Sequence, residues 1–120
     1  MNQLEKYIHL RRYAPGKDGK ESLREKQSRF ARMVALLLME ADRLGFEVTF
    51  GDAYAVSGHM KKSLHYKRLA IDLNLFRDGI YLKDTLNHKQ LGEYWESLGG
   101  SWGGRFMDGN HYALEHKGFR

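Results

Sequence analysis

The chain of 120 residues contains no cysteine and a single proline. Without thiols there are no disulfides, no thiolate metal ligands and no cysteine nucleophile, so any bound metal must be held by imidazole and carboxylate. Long apolar runs are also missing. None approaches the roughly 20 residues that a membrane span needs. The start, Met1-Asn2-Gln3-Leu4-Glu5-Lys6, lacks the apolar stretch of a secretory signal, which predicts a chain made in the cytoplasm. Repeats, low-complexity tracts and linkers are absent too. The reading is one domain over residues 1–120, with residues 1–20 as a polar N-terminal extension.

What is present is globular in composition, with 42% hydrophobic and 29% charged residues. The net charge of +5 and the pI of about 9.5 favour anionic partners. The basic residues, Arg11-Arg12 and Lys61-Lys62 among them, are scattered between acidic ones. That pattern speaks for a solvated surface and against nucleic acid.

Phe30, Met33, Val34, Leu37, Leu38, Ala41 and Leu44 recur at steps of three and four, which predicts an amphipathic helix. Ser22 with Glu25 three residues on has the form of a capping box, and Gly45 is suited to end the helix. Phe46 to Phe50 alternates as a strand. A loop is expected over residues 51–62. In the next strand Leu69, Ile71, Leu73 and Leu75 face one way, while Ala70, Asp72 and Asn74 face the other. Arg77-Asp78-Gly79-Ile80 signals a hairpin with Ile80-Tyr81-Leu82 as its return strand. Leu91, Tyr94, Trp95 and Leu98 share one face of a second helix, with Asn87 as its N-cap and Gly99-Gly100 as its end. A glycine-rich turn from Trp102 leads to a last strand, His111 to Leu114. The fold class is therefore α+β: two main helices against a small, mostly antiparallel sheet.

Two short clusters carry the chemistry. His65 and Asp72 are separated by six residues, and Asp108-Gly109-Asn110-His111 lies near the C-terminus. An aspartate inside an apolar strand is unfavourable unless it is paired or ligated. The Asp-Gly-Asn stretch alone is ordinary turn material. Taken together, two imidazoles and one carboxylate make a three-ligand site with room for water, the layout of a catalytic zinc. Asp108 is spare, and three residues before His111 it is placed to act as a base on that water. Imidazole and carboxylate accept other divalent ions as well.

The run Ser63-Leu64-His65 through Ala70-Ile71-Asp72, followed by Trp102 and Asp108-Gly109-Asn110-His111, resembles the zinc peptidases of bacterial cell-wall peptides. These comprise D-alanyl-D-alanine carboxypeptidases and L-alanyl-D-glutamate endopeptidases, whose motifs read Ser-x-His-x6-Asp and Asp/Glu-x-x-His. Residues 69–76 and 91–106 are similar to short phage endolysins, and the likeness runs from about Phe30 to Leu114. The resemblance implies a zinc D-Ala-D-Ala peptidase (hedgehog-like) fold and one Zn2+ held by His65, Asp72 and His111. It also implies Asp108 as general base and Ser63 near the substrate, where Arg68 and Trp102 are further candidates.

The implied activity is hydrolysis of a peptidoglycan stem amide, with L-alanyl-D-glutamate as the expected bond. Trimming of terminal D-alanine is the nearest alternative. A non-catalytic module that holds cell-wall polymer or nucleic acid is the alternative of a different class. An endolysin of this kind would be a monomer that waits in the host cytoplasm and reaches the wall when a holin-type partner opens the membrane. One departure stands out. Many relatives carry an arginine after an Ala-Tyr pair, but here Ala53-Tyr54 is followed by Ala55, which would shift that role to Lys61, Lys62 or Arg68.

Overall fold

The apolar stripe of the first long segment becomes helix α1, Leu23–Arg43. In the computed structural model, the residues described are 2, 21–54 and 63–120. The extension to residue 20, Ala55, the Lys61-Lys62 doublet and most of the 51–62 loop lie outside them. The Ser22 hydroxyl accepts a hydrogen bond from the Glu25 amide at 3.1 Å and so satisfies one of the helix's free N–H groups. At the other end Gly45 takes a positive φ of 84°. Its amide bonds to Asp42 O and the Phe46 amide to Ala41 O, both at 3.0 Å, the double bond pattern that closes a helix with glycine. The helix buries Phe30, Met33, Leu36, Leu37 and Ala41.

The strands are β1 Glu47–Phe50, β2 Ala70–Arg77, β3 Ile80–Leu82, β4 Ser101–Trp102 and β5 His111–Ala113. All pairings are antiparallel, with order β1-β2-β5-β4 and β3 also on β2. Strand β2 is central. It pairs β1 along one edge, and β5 and β3 in succession along the other, at residues 70–72 and 75–77. Asp78 and Gly79 at the β2–β3 turn have φ of 52° and 77°, the two positive values that a tight hairpin needs.

The second helix, α2, spans Lys89–Ser97 and is entered through a 3-10 turn, Thr85–His88. The expected N-cap at Asn87 is not found there. The extended backbone that precedes the helical run belongs to Asp84, with φ −85° and ψ 146°, and Asn87 is already inside the turn, its amide bonded to Asp84 O at 3.0 Å. Helix α2 brings Leu91 and Trp95 to the core, both fully buried. Trp95 meets Phe30 of α1 edge-on at 5.7 Å and Tyr112 of β5 at 6.0 Å, and its indole N–H donates to Ala113 O at 2.9 Å. One aromatic side chain thus joins both helices to the strand that begins with His111.

Candidate metal centre

His65 sits in a 3-10 turn, Leu64–Lys67. The Ser63 hydroxyl accepts from the His65 amide at 3.2 Å and starts the turn. Arg68, at φ 56°, ends it, with Arg68 N on His65 O and Leu69 N on Leu64 O. The chain then enters β2, where Asp72 is the third residue.

Asp72 and His111 are register partners on β2 and β5. The backbone of Asp72 bonds away from β5: its amide donates to Asp52 O and its carbonyl accepts from Gly51 N, both at 2.8 Å. Asp72 and His111 therefore form a non-hydrogen-bonded pair, the kind that brings facing side chains closer together. The strand register alone delivers carboxylate and imidazole to one place.

The turn ahead of His111 is tied at every residue. Asp108 N donates to Gly103 O at 2.9 Å, His111 N to Asp108 O at 3.1 Å and Leu73 N to Asn110 O at 2.9 Å. Gly109 N reaches the Thr85 hydroxyl at 3.2 Å, and the indole N–H of Trp102 reaches Gly109 O at 2.7 Å. Gly103 must be glycine here, because a Cβ would stand 2.2 Å from Asp108 O and 2.8 Å from the Cβ of His111.

The result is a convergence. His65 Nε2 lies 3.3 Å and His111 Nδ1 3.4 Å from the same oxygen, Asp72 Oδ1. The three donor atoms fall within 4.8 Å of one another. Hydrogen bonds between charged partners run to about 2.7–2.9 Å. A tetrahedral zinc with bonds of about 2.0–2.1 Å separates its ligand atoms by about 3.3–3.4 Å. The observed spacing matches the second figure. His111 Nε2 is buried and has no hydrogen-bond partner among the described residues. A neutral ring whose lone pair at Nδ1 faces the centre keeps its proton on that orphaned atom. Leaving such a donor unsatisfied costs about 1–3 kcal/mol, which ligation at Nδ1 would offset. The two histidines are buried, 2% and 7% exposed, so the donors are screened from water. Burial works to raise the pKa of Asp72, but the two imidazoles that face its carboxylate outweigh it and hold the carboxyl at about 2. The donor set is thus anionic at neutral pH and suits a divalent cation.

Asp108 is exposed, and its carboxylate makes no ion pair or hydrogen bond among the described residues. Its backbone shares the turn with His111. Ser63 spends its hydroxyl on the His65 turn. Arg68 is exposed, with its guanidinium 4.1 Å from the ring centre of Tyr54. Trp102 is 5% exposed, and what it contributes to the centre is the hold on Gly109.

Some contributors leave no trace in motif spacing. His88 has no carboxylate at a recognisable ligand spacing in a strand context, yet it is buried with Nδ1 2.8 Å from the hydroxyl of Tyr112, the residue after His111 in β5. Burial lowers its pKa to about 4. Phe106 stands beside His111, ring centres 6.1 Å apart, and is 41% exposed. The His88 contact arises only when segments 24 residues apart pack, whereas Phe106 lies in the turn that leads to His111.

Residues 57–114 match the model of a family described as D-alanyl-D-alanine carboxypeptidase. No curated protein matches the chain. The matched segment holds His65, Asp72, Asp108 and His111 together with the strand pairing that gathers the donors. Over residues 57–114, which carry all three metal donors, the chain is similar to the D-alanyl-D-alanine carboxypeptidase family.

Proposed function

We propose that the chain is a zinc-dependent peptidase that hydrolyses an amide bond in the stem peptide of peptidoglycan, with L-alanyl-D-glutamate as its target and phage release as its setting. The convergence of His65, Asp72 and His111 within 4.8 Å supports this reading more than any other observation. A zinc ion bound by these three would supply Lewis-acid activation of water and of the scissile carbonyl. The chain's own groups do the rest. Asp72, ionised well below neutral pH, supplies the negative charge of the donor set. Asp108 is the proton carrier: its carboxylate takes the proton of the attacking water and delivers it to the leaving amine. An aspartate is one methylene shorter than a glutamate, so its backbone has to start closer to the reacting atoms. The hydrogen bond from His111 N to Asp108 O supports that placement.

The family description favours one rival, removal of terminal D-alanine. Mass spectrometry of digested muropeptides separates the two. An L-alanyl-D-glutamate endopeptidase frees tripeptides and tetrapeptides that begin with D-glutamate, whereas a carboxypeptidase frees single alanine. A digest with neither product, in which chelator makes no difference, contradicts the peptidase reading. No helix among the described residues is long and apolar enough to cross a membrane. In the endolysin setting the chain gathers in the host cytoplasm and meets the wall once a holin-type partner opens the membrane.

A further inference from the structure

The C-terminal residues build a second concave feature. His116 and Phe119 exchange two backbone hydrogen bonds of 2.9 Å around Lys117 and Gly118. Those two residues have φ of 49° and 85°, a tight hairpin turn whose first central position suits Asn, Asp or Gly. A lysine there sits in a backbone region that side chains disfavour, and it sets a cation at the tip of the turn. This turn and the one that carries His65 enclose a cavity of about 310 Å³, lined by Leu64, Lys67, His116, Lys117 and Phe119.

Charge around the cavity is one-sided. Lys67 and Lys117 line it. Lys26 of α1 approaches from behind, where its ammonium donates to Glu115 O and lies 3.4 Å from His116 Nδ1. An ammonium only donates, so His116 Nδ1 accepts and the ring is neutral with its N–H on Nε2. Burial, then the charges of Lys26, Lys117 and Lys67, keep His116 from protonating at its usual pH. The acidic groups nearby are Glu21 and Glu115. Glu21 is committed to Arg29 through two bonds of 2.9 and 3.0 Å, Glu115 is exposed, and no carboxylate side chain among the described residues lines the cavity. Holding like charges together opposes folding, and it prepares a site for an anion. The remaining wall is apolar, with Leu64 buried and the Phe119 ring 42% exposed. A volume of this order suits a small organic molecule rather than a bare ion.

We propose that this cavity binds a phosphate-bearing sugar, with the phosphate against Lys67 and Lys117 and the sugar against Leu64 and Phe119. None of these residues is a metal donor or the proton carrier, so the site stands apart from the peptidase reading. The full chain, labelled with nitrogen-15, is titrated with glucose 6-phosphate, glucose and inorganic phosphate. Glucose 6-phosphate is expected to shift the amides of residues 64–67 and 116–119 and to saturate. Inorganic phosphate should act there more weakly, and glucose should not act. Replacing both lysines, Lys67→Gln with Lys117→Gln, removes two charged hydrogen-bond donors and should weaken sugar-phosphate binding about tenfold or more. If that variant fails to fold, Lys117→Gln alone should still weaken it, while Lys117→Arg should restore it. Shifts confined to other residues, equal binding of glucose, or undiminished binding by the lysine variants would overturn the site. Inorganic phosphate binding as tightly as the sugar phosphate would overturn the sugar contact. Co-sedimentation with purified walls, before and after their phosphate polymers are stripped, separates the sources. Loss on stripping assigns a wall glycan, and no change assigns a soluble sugar phosphate.

Discussion

Asp72 concentrates the conflict that makes the centre. Ile71 and Leu73 on either side of it are buried, and a carboxylate between them is unfavourable without partners. It has two, His65 Nε2 and His111 Nδ1, spaced as ligands rather than as hydrogen-bonded pairs. That conflict is legible in the sequence, because an aspartate interrupting an apolar strand marks itself. Asp108 poses the opposite case, an exposed carboxylate to which the proposed function gives proton transfer. Asp108→Asn keeps the shape and removes the base, so it should retain the metal and lose about 10²- to 10⁴-fold in turnover. Turnover on muropeptides, measured beside metal content, checks this, and an Asn variant as fast as the parent removes Asp108 from the mechanism. His88 could not have been read in the same way. Its only signal is the contact with Tyr112, which comes from another strand.

Two short elements place His111: strand β5, in register with β2, and the turn of residues 103–110. Trp102 is the turn's clamp, with its indole N–H on Gly109 O. Trp102→Phe keeps an aromatic ring in the core but leaves that carbonyl without its donor, a loss of about 1–3 kcal/mol. The expected result is a lower melting temperature and weaker zinc affinity, since the turn leads directly into the ligand. A variant that loses neither would show that Gly109 O needs no such donor. Strands β1, β2, β3 and β5, the hairpin turn and the closing glycine of α1 were readable because each follows a local rule: alternation, two residues fit for positive φ, a helix stop; β4, two residues long, was read as part of a turn. The start of α2 was not. Asn87 looks like a cap in isolation, but the extended residue lies at Asp84, and the choice between them is made by a 3-10 turn packed against Gly109 through Thr85. Local preference does not encode that packing.

The donors come from positions 65, 72 and 111, so the centre exists only when helix, sheet and turns are assembled. Metal binding and folding are therefore coupled. The α+β class and its antiparallel sheet followed from periodicity, while the edge on which β5 joins β2 did not, because three-residue strands carry too little pattern to specify a partner. Acid should expose the buried His88. Its folded pKa of about 4 is below the ordinary 6.5, so between these values the unfolded chain binds a proton that the folded chain declines. The stability this group contributes is complete above about pH 6.5 and is lost as pH falls toward 4. The melting temperature of the wild type should thus fall more steeply across that window than that of His88→Gln, compared under the same metal conditions. Parallel slopes would mean that His88 titrates normally.

Elemental analysis of purified protein decides whether the centre is real. The wild-type chain and Asp108→Asn should each carry one zinc per molecule, and His65→Ala, Asp72→Ala and His111→Ala should carry none while still folding. A wild-type chain that takes up no zinc when supplied with it, or three donor variants that hold it as firmly as the parent, would contradict the assignment.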